Sequence, residues 1–396
     1  MDNKNGISGN SGYLSMARET TAGVAVRPTN VIPMYEETLT TELNPNTDNM
    51  VFGSKGARLL TTPGKRSHGG DITVMAEPNS TALFFDGLLP RTSVTDAGDG
   101  KHEWSFNSTS FNATSSYTVD VSKGVSVSRF AGVQFSEISP SWSENRQQWK
   151  VKATALRAFH AVEVASVSAA VVTLSTEGYT DKPAELLLVG DSIGIRKANG
   201  THTTHTISAK TDTTITLSAA PTGVVAGDVV YLRPTTPTLN DLFPFLWSRT
   251  EFRWGATAAA ALTATHVPSE EGSEYAIMHE FEDEKGDSAS GSFDRHMLVR
   301  SKSIDATLKV NNYYDNDKEA AKYNAIPKKA LVIRSFSEDG TEMRVTFNNL
   351  ACTKGGDKPL VKTDEALYYE REYVPNYDRV DGQTFDVKVI CKLPAA

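Results

Sequence analysis

Short segments that alternate apolar and polar residues with a period of two recur along most of the chain. This alternation is the pattern of a β-strand with one buried face and one solvated face. Residues 35–43 are the first clear example, with Leu39 and Leu43 on one side and Glu36 and Glu42 on the other. Because such a strand buries its apolar side only against another layer, the pattern predicts stacked or closed sheets.

A second alternating segment follows a long polar stretch and leads into a predicted helix. Ile72 and Val74 lie opposite Asp71, and the helix is predicted to begin at Pro78. Proline at the first helical position loses no hydrogen bond, and Gly87 is placed to end the helix. This part of the chain therefore predicts strand, polar arm, strand and helix.

Four further strands are predicted after the helix, at KHEWSFN, SSYTVDV, SVSRFAGVQFSEIS and QWKVKATALRAF. They are separated by turns rich in Gly, Asn and Asp, and one helix accompanies them. Many short strands with such turns are typical of a β-sandwich or a β-barrel.

The composition changes at about His160, where the chain becomes rich in Val, Thr, Ile and Ala. Two copies of one pattern follow: VTLS leads to GDSIGIR, and ITLS leads to GDVVYLR. Each Gly-Asp pair is a turn signal between β-rich segments. We interpret this region as a separate small all-β domain, which ends at a proline-containing linker, PTTPT.

The last part of the chain repeats the order of the first. A strand, SIDATLKV, precedes a predicted helix with Asp317 as N-cap and Pro327 as stop, and then come KALVIRSFS, TEMRVTFNNL and a closing strand, TFDVKVICKL. The chain is thus predicted to be mainly β, with two β-sandwich or barrel units, each with a flanking helix, and a small middle domain. The predicted boundaries are 1–28 for a flexible N-terminal arm, 29–159 for unit A, 160–235 for the middle domain and 236–396 for unit B.

Composition and motifs argue against several classes of function. The net charge is −8, which disfavours a basic nucleic-acid-binding surface, and no apolar segment is long enough to span a bilayer. The N-terminus lacks the apolar core of a secretory signal, so we expect folding in the cytoplasm. The chain has only Cys352 and Cys391, and His202 and His205 lack further metal-ligating neighbours. No nucleophile elbow, phosphate loop or dinucleotide fingerprint occurs, so we predict no cofactor, no metal and no enzymatic activity.

Several of these segments resemble the tail tube proteins of long-tailed bacteriophages. They are ETTAG at Glu19, the arm FGSKGARLLTTPGKRSHGGDITV, the helix after Pro78, and RFAGVQFSEISPSWSENRQQWKVKATAL. The resemblance covers about four-fifths of the chain and omits the middle domain. It implies two tail-tube-like units, self-assembly into rings that stack into a tube, and a lumen that holds the tape-measure protein and conducts DNA without sequence-specific binding. It also implies a virion protein, made in the cytoplasm of the bacterial host.

With two units in each chain, three chains would complete a pseudo-sixfold ring, which we prefer to a hexamer of chains. The polar strand positions Glu36, Glu42, Asp71 and Asp305 would then give a negatively charged lumen. The arm is basic, and the segment SEEGSEYAIMHEFEDEKGD of the second unit is acidic. We therefore expect the two to meet between subunits or rings, because complementary charges fix register. The basic residues concerned are Lys55, Arg58, Lys65 and Arg66.

Two alternatives of other classes remain. The middle domain could be a surface adhesin that binds bacterial glycans on a β scaffold, or the chain could be a carbohydrate-active enzyme on a β-sandwich. A domain inserted between two tube units has to point outward, so an adhesin is also compatible with a decorated tube.

Overall fold

We describe the fold from a computed structural model. The residues described are 12–48, 60–143, 145–177, 181–235, 242–267, 273–282, 292–300, 303–313, 329–355 and 368–394. Strands account for 55% of them and helices for 6%, which confirms the predicted mainly β class. The predicted helix at 315–326 lies outside the described residues.

The first part of the chain forms thirteen strands and one helix. They are β1 (Tyr13–Arg18), β2 (Asn30–Ile32), β3 (Met34–Glu37), β4 (Thr40–Leu43), β5 (Asn46–Asp48), β6 (Leu60–Thr62), β7 (Arg66–Met75), α1 (Pro78–Leu88), β8 (Arg91–Gly98), β9 (Lys101–Asn107), β10 (Tyr117–Ser122), β11 (Val127–Ser143), β12 (Arg146–Ala155) and β13 (Arg157–Phe159).

The rest of the described chain adds thirteen strands and a short helix. They are β14 (Ala161–Ser168), β15 (Val171–Leu174), β16 (Ser192–Arg196), β17 (His202–Lys210), β18 (Thr214–Leu217), β19 (Val229–Leu232), β20 (Thr250–Gly255), α2 (Ala258–Thr263), β21 (Glu274–Met278), β22 (Asp305–Tyr313), β23 (Lys329–Phe336), β24 (Glu342–Gly355), β25 (Tyr368–Pro375) and β26 (Phe385–Cys391).

One antiparallel sheet, which we call the main sheet, runs through both ends of the chain. Its order is β3 and β4 beside β7, then β12, β11, β21, β22, β25 and the end of β24. A second row of strands has the order β20, β23, the start of β24, β26, β9 and β8. The long strand β24 belongs to both rows and joins them.

The apolar sides of these strands and helix α1 form one core. Its largest fully buried side chains include Trp104, Trp149, Phe85, Phe135 and Phe347. Ring contacts link several of them, including an edge-to-face contact between Phe85 and Trp149 with centroids 5.8 Å apart. The core contains residues from both ends of the sequence, so the two ends are packed together by the burial of apolar area.

Helix α1 begins at Pro78, as predicted, but Gly87 does not end it. The carboxylate of Glu77 accepts hydrogen bonds from the backbone N–H groups of Ser80 and Asn79, which caps the first turn. Gly87 lies inside the helix, where a Cβ would be 2.5 Å from the ring of Phe135. The glycine is therefore required by close packing against β11 and not by the helix terminus.

The segment predicted as one strand at residues 35–43 is split into β3 and β4. The carboxylate of Glu37 accepts a hydrogen bond from the backbone N–H of Leu39 at 2.9 Å, and Thr38 bonds to the backbone of Asp71. Opposite the break, Gly70 has a φ of +152°, where a Cβ would lie 2.5 Å from the Thr38 carbonyl oxygen. A local side-chain bond thus interrupts the ladder, which the alternation alone does not reveal.

The N-terminal residues 13–18 were predicted to be part of a flexible arm, but they form strand β1. β1 pairs with both β10 and β2, and Leu14 and Met16 are fully buried. The turn after β1 is held by the buried carboxylate of Glu19, which accepts hydrogen bonds from the backbone N–H groups of Gly23 and Gly132. This part of the chain is therefore a structural element of the core.

Six strands in the middle of the chain close into a barrel with the order β14, β15, β18, β17, β16, β19 and back to β14. The barrel has an internal pseudo-twofold symmetry. β15 pairs with β18 symmetrically about Val172 and Ile215, and β16 pairs with β19 symmetrically about Gly194 and Tyr231. The two sequence patterns noted above therefore occupy equivalent places in two βββ halves, β14–β16 and β17–β19.

Candidate assembly surface

The strand pairing found in residues 66–155 recurs in residues 305–375. β10, β11, β12 and β7 are neighbours in that order, and so are β23, β24, β25 and β22. Even the irregularity recurs, because the register shifts between Phe135 and Glu137 in β11 and between Cys352 and Lys354 in β24. β25 thus takes the place of β12. The predicted counterpart of β12 was β26, but β26 lies between β24 and β9.

The two halves meet where β11 pairs with β21. Glu137 lies opposite Met278 and Ile138 opposite Ile277, and the backbone N–H of His279 donates to the Ser136 carbonyl at 2.8 Å. This junction makes one continuous sheet out of the two recurring sets of strands.

A partly buried arginine, Arg300, joins the two sides of this junction. The Arg300 guanidinium donates to the carbonyls of Gly87 at 2.9 Å and Phe135 at 2.6 Å and also to that of His279. Burial lowers the pKa of Arg300 to about 9. Because Gly87 is in the last turn of α1, the cation also lies at the negative end of that helix. No local sequence signal indicates this role, because Gly87 and Phe135 are far from Arg300 along the chain.

The main sheet ends in an unpaired edge on each side within the described residues. β3 and β4 pair only with β7, and residues 351–354 of β24 pair only with β25. Large apolar side chains are exposed at both edges: Tyr35 is 51% exposed, Leu43 52% and Val374 38%. Open edges with apolar flanks are where a sheet accepts another strand.

The face of the main sheet that points away from the core, which we call the charged face, carries two rows of cross-strand partners. One row is Asp71, Lys152, Glu137, Met278 and Asp305. The other is Glu274, Lys309, Glu372 and Lys354. Opposite charges alternate along the whole second row and from Asp71 to Glu137 in the first, and the Lys354 ammonium is 2.7 Å from the Glu372 carboxylate. Facing opposite charges stabilise cross-strand pairs and fix their register.

The four predicted lumen residues are all exposed. Asp71 and Asp305 lie at the two ends of the first row of the charged face, and Glu36 and Glu42 lie on the edge strands β3 and β4. Because lysines are interleaved with the acids, this face has mixed charge and not the uniformly acidic character that was expected. That these residues line a lumen stays a prediction.

The structure places the four basic residues of the arm in different environments. Lys55 and Arg58 lie outside the described residues, and Lys65 is exposed. The Arg66 guanidinium is paired within its own chain, 2.7 Å from the carboxylate of Asp294. Burial would raise the pKa of Asp294, but the hydrogen bond from His68 and the charge of Arg66 outweigh it and lower that pKa. Arg66 therefore has an ion-pair partner inside its own chain, and its role between subunits stays a prediction.

A buried arginine also fixes the barrel to the rest of the molecule. Arg129 of β11 is 3% exposed, and its guanidinium donates two hydrogen bonds of 2.8 Å to Asp120. The same guanidinium reaches Asp191 of the barrel at 2.7 Å and the Leu186 carbonyl at 3.0 Å. Asp191 also accepts a hydrogen bond of 3.2 Å from Arg27. The attachment thus consists of arginines on the body and carboxylates on the barrel.

The described residues contain no group of three or more His, Cys, Asp or Glu side chains placed to hold a metal ion. The ring of His202 bonds to the Tyr231 hydroxyl at 2.9 Å, and that of His205 to the Thr203 hydroxyl at 3.0 Å. A groove of about 430 Å³ crosses the charged face, where Lys150 and Glu274 are among the lining residues.

No helix in the described part of the chain has the length and apolar character needed to cross a membrane. Comparisons with known protein families and with curated protein sequences give no match for this chain.

Proposed function

We propose that the protein is a structural virion protein whose copies join into rings, and that these rings stack to form the tail tube of a long-tailed bacteriophage. The observation that carries the proposal is the main sheet, which continues through the β11–β21 junction and, among the described residues, ends at an unpaired edge on each side. A sheet edge of this kind needs a partner, and ring closure supplies one for every edge.

The recurrence of β10–β11–β12–β7 as β23–β24–β25–β22 supports two tail-tube-like units in each chain. In this proposal the β11–β21 junction inside one chain is the same kind of contact as the junction between chains. Three chains then give six units in a pseudo-sixfold ring. Six chains in one ring is the alternative, and the two differ twofold in the mass of the ring.

The charged face would line the tube. Fixed carboxylates at Glu137, Glu274 and Glu372 would repel phosphates, while the neighbouring lysines keep the potential moderate. Such a surface suits DNA in transit, because it offers no continuous basic track. The tape-measure protein would occupy the same lumen before DNA passes, and the assembled protein would be located in the virion.

Electron microscopy of the purified protein, combined with mass determination in solution, tests this proposal. We expect stacked rings or tubes of uniform bore, with a ring mass three times that of the 43.0 kDa chain. A protein that stays monomeric at high concentration and at the ionic strength of the host cell would overturn it. A ring mass of six chains would retain the tube function and replace the trimer.

A second candidate function, a glycan-binding adhesin, is favoured by the separateness of the barrel. The barrel side chains form a buried cluster that is separate from the main core and is completed by Val127 and Ala131 of β11, and the entry and exit of the barrel are adjacent because Ala161 pairs with Tyr231. Deletion of residues 160–234 with a short bridge tests whether the barrel is needed for assembly. The deletion removes Asp191 but leaves Arg129 paired with Asp120, so the remaining charges are balanced and no compensating substitution is needed.

Tubes that form without the barrel, with lower adsorption to host cells, would support decoration by an adhesin. Loss of tubes would make the barrel part of the assembly. Turnover of glycans by the intact protein would instead support a carbohydrate-active enzyme, and we expect none.

A further inference from the structure

We propose that a second copy of the chain adds its strand β4 to the open edge of β24 in one particular register, with Glu42 of one copy opposite Lys354 of the other. This inference rests on the proposed ring assembly and specifies the surface that closes the ring. It is derived from the way in which the two halves of the main sheet repeat each other.

The register shifts in β11 and β24, which are β-bulges, provide a reference point for aligning the two halves of the main sheet. Past the bulge, Glu137 of β11 pairs with Lys152, and Lys354 of β24 pairs with Glu372. Glu137 and Lys354 are therefore equivalent positions on equivalent strands. On its other side Glu137 has a second strand partner, Met278 of β21. In the described part of the chain no strand takes the corresponding place beside Lys354.

Strand β4 is the equivalent of β21. Asp71 of β7 pairs with Lys152, the partner of Glu137, and Lys309 of β22 pairs with Glu372, the partner of Lys354. Asp71 and Lys309 are therefore equivalent positions. Four residues before Asp71, Ser67 pairs with Glu42 of β4. Four residues before Lys309, Asp305 pairs with Met278 of β21. Glu42 thus corresponds to Met278. A second copy that repeats the β11–β21 junction brings Glu42 opposite Lys354.

The charges at these two positions agree with this register. The row Glu274, Lys309, Glu372 and Lys354 alternates in sign and ends with a lysine at the open edge. Glu42 of the next copy would continue the alternation. Inside the chain the equivalent position is occupied by Met278, which carries no charge, so the complementary pair occurs only where two copies would meet. Such a pair fixes register and suppresses slipped pairings.

The apolar side chains beside the two edges agree as well. Tyr35 of β3 and Leu43 of β4 lie on the first edge, and Val374 lies next to the second edge on β25. These three are among the few large apolar residues that are exposed on the main sheet. Pairing of the edges would remove their apolar area from water, which supplies affinity that the ion pair alone lacks.

A charge-swap series tests the register. Glu42→Lys and Lys354→Glu should each raise the protein concentration needed for ring formation about tenfold or more, because like charges then face each other. The double variant, which restores opposite charges, should recover most of the loss. Glu163→Lys makes the same change on an exposed position of the barrel and should assemble as the wild type does.

A disulfide cross-link between two copies tests directly whether residues 42 and 354 face each other. In a Cys352→Ser background, Glu42→Cys and Lys354→Cys together should form a disulfide between copies under mild oxidation, and each single cysteine should not. Rings by microscopy without the cross-link or the rescue would overturn the register but retain the proposed function. Absence of rings in the wild-type protein would overturn the proposed function itself.

Discussion

The two halves of the barrel contain the same turn in two different environments. Asp191 accepts a hydrogen bond from the backbone N–H of Leu188 at 2.8 Å, and Asp228 accepts one from Val225 at 2.9 Å. A glycine with left-handed φ precedes each aspartate, at +86° and +88°. The difference is outside the turn, since Asp191 is bound by the buried Arg129, whereas Asp228 accepts the backbone N–H of Ala198.

This contrast separates what the local sequence does from what the surroundings do. A Gly-Asp pair closes the turn in both halves, because glycine tolerates positive φ and aspartate satisfies the backbone N–H. Only the Gly-Asp turn of the first half is bound by Arg129 of the body, so its carboxylate also serves as a partner for arginine. The two turns thus provide an internal control, in which one aspartate has the arginine partner and the other has a backbone N–H instead.

Removal of the arginine should have the largest effect. Arg129→Met leaves the carboxylates of Asp120 and Asp191 buried without their cation, and we expect a loss of about 3–5 kcal/mol in the free energy of unfolding. Urea denaturation of the intact chain measures this loss. A change below about 1 kcal/mol would mean that the attachment contributes little to folding.

Neutralisation of each aspartate in turn should lower the free energy of unfolding more at Asp191 than at Asp228. Asp191→Asn keeps one acceptor for the turn but weakens the pairing of Arg129, with an expected cost of about 2–3 kcal/mol. Asp228→Asn loses only one backbone hydrogen bond, with an expected cost of about 1 kcal/mol. Equal losses, measured under the same denaturation conditions, would show that the arginine does not distinguish the two turns.

Alanine in place of the two turn glycines should cost nearly the same in both halves. Gly190→Ala and Gly227→Ala each force a side chain into the left-handed region, at about 1–2 kcal/mol. A Cβ at Gly190 would also lie 3.1 Å from the flexible end of Arg27, whereas nothing lies within 4 Å at Gly227. Thermal unfolding should therefore show two similar losses, and a much larger one at Gly190 would mean that Arg27 cannot move aside.

The smallest effect is expected at Arg27 itself. Its side chain is 54% exposed, so the pair with Asp191 is screened by solvent. Arg27→Met should cost less than about 1 kcal/mol, and the difference from the wild type should shrink as salt is added. Denaturation at low and at high salt checks this. A loss as large as that of Arg129→Met would remove the distinction between buried and exposed pairs.

Local patterns predicted the strands and the start of the helix well. KHEWSFN coincides with β9, and Ile72 and Val74 are fully buried, as their alternation predicts. The two Gly-Asp patterns indicated a repeat, because turn chemistry is read within a few residues. Pro78 and its preceding cap are equally local.

The features that were not predicted from the sequence depend on contacts between residues far apart along the chain. The register that relates Glu42 to Lys354 requires knowledge of both bulges, and a bulge has no reliable sequence signature. The arginines at positions 129 and 300 were missed for the same reason, since a buried or partly buried cation is identified by its partners. The pairing of Arg66 with Asp294 likewise joins distant segments.

Strand β11 is the one element that nearly every layer of the molecule contacts, because it pairs with β10, β12, β13, β19 and β21. During synthesis the chain emerges from its N-terminus, so β11 leaves the ribosome long before β21 does. Its far edge must stay exposed for that whole interval, and pairings so distant along the chain form slowly. The same edge that gives the finished sheet its continuity is thus the segment of the nascent chain that most needs protection from other chains.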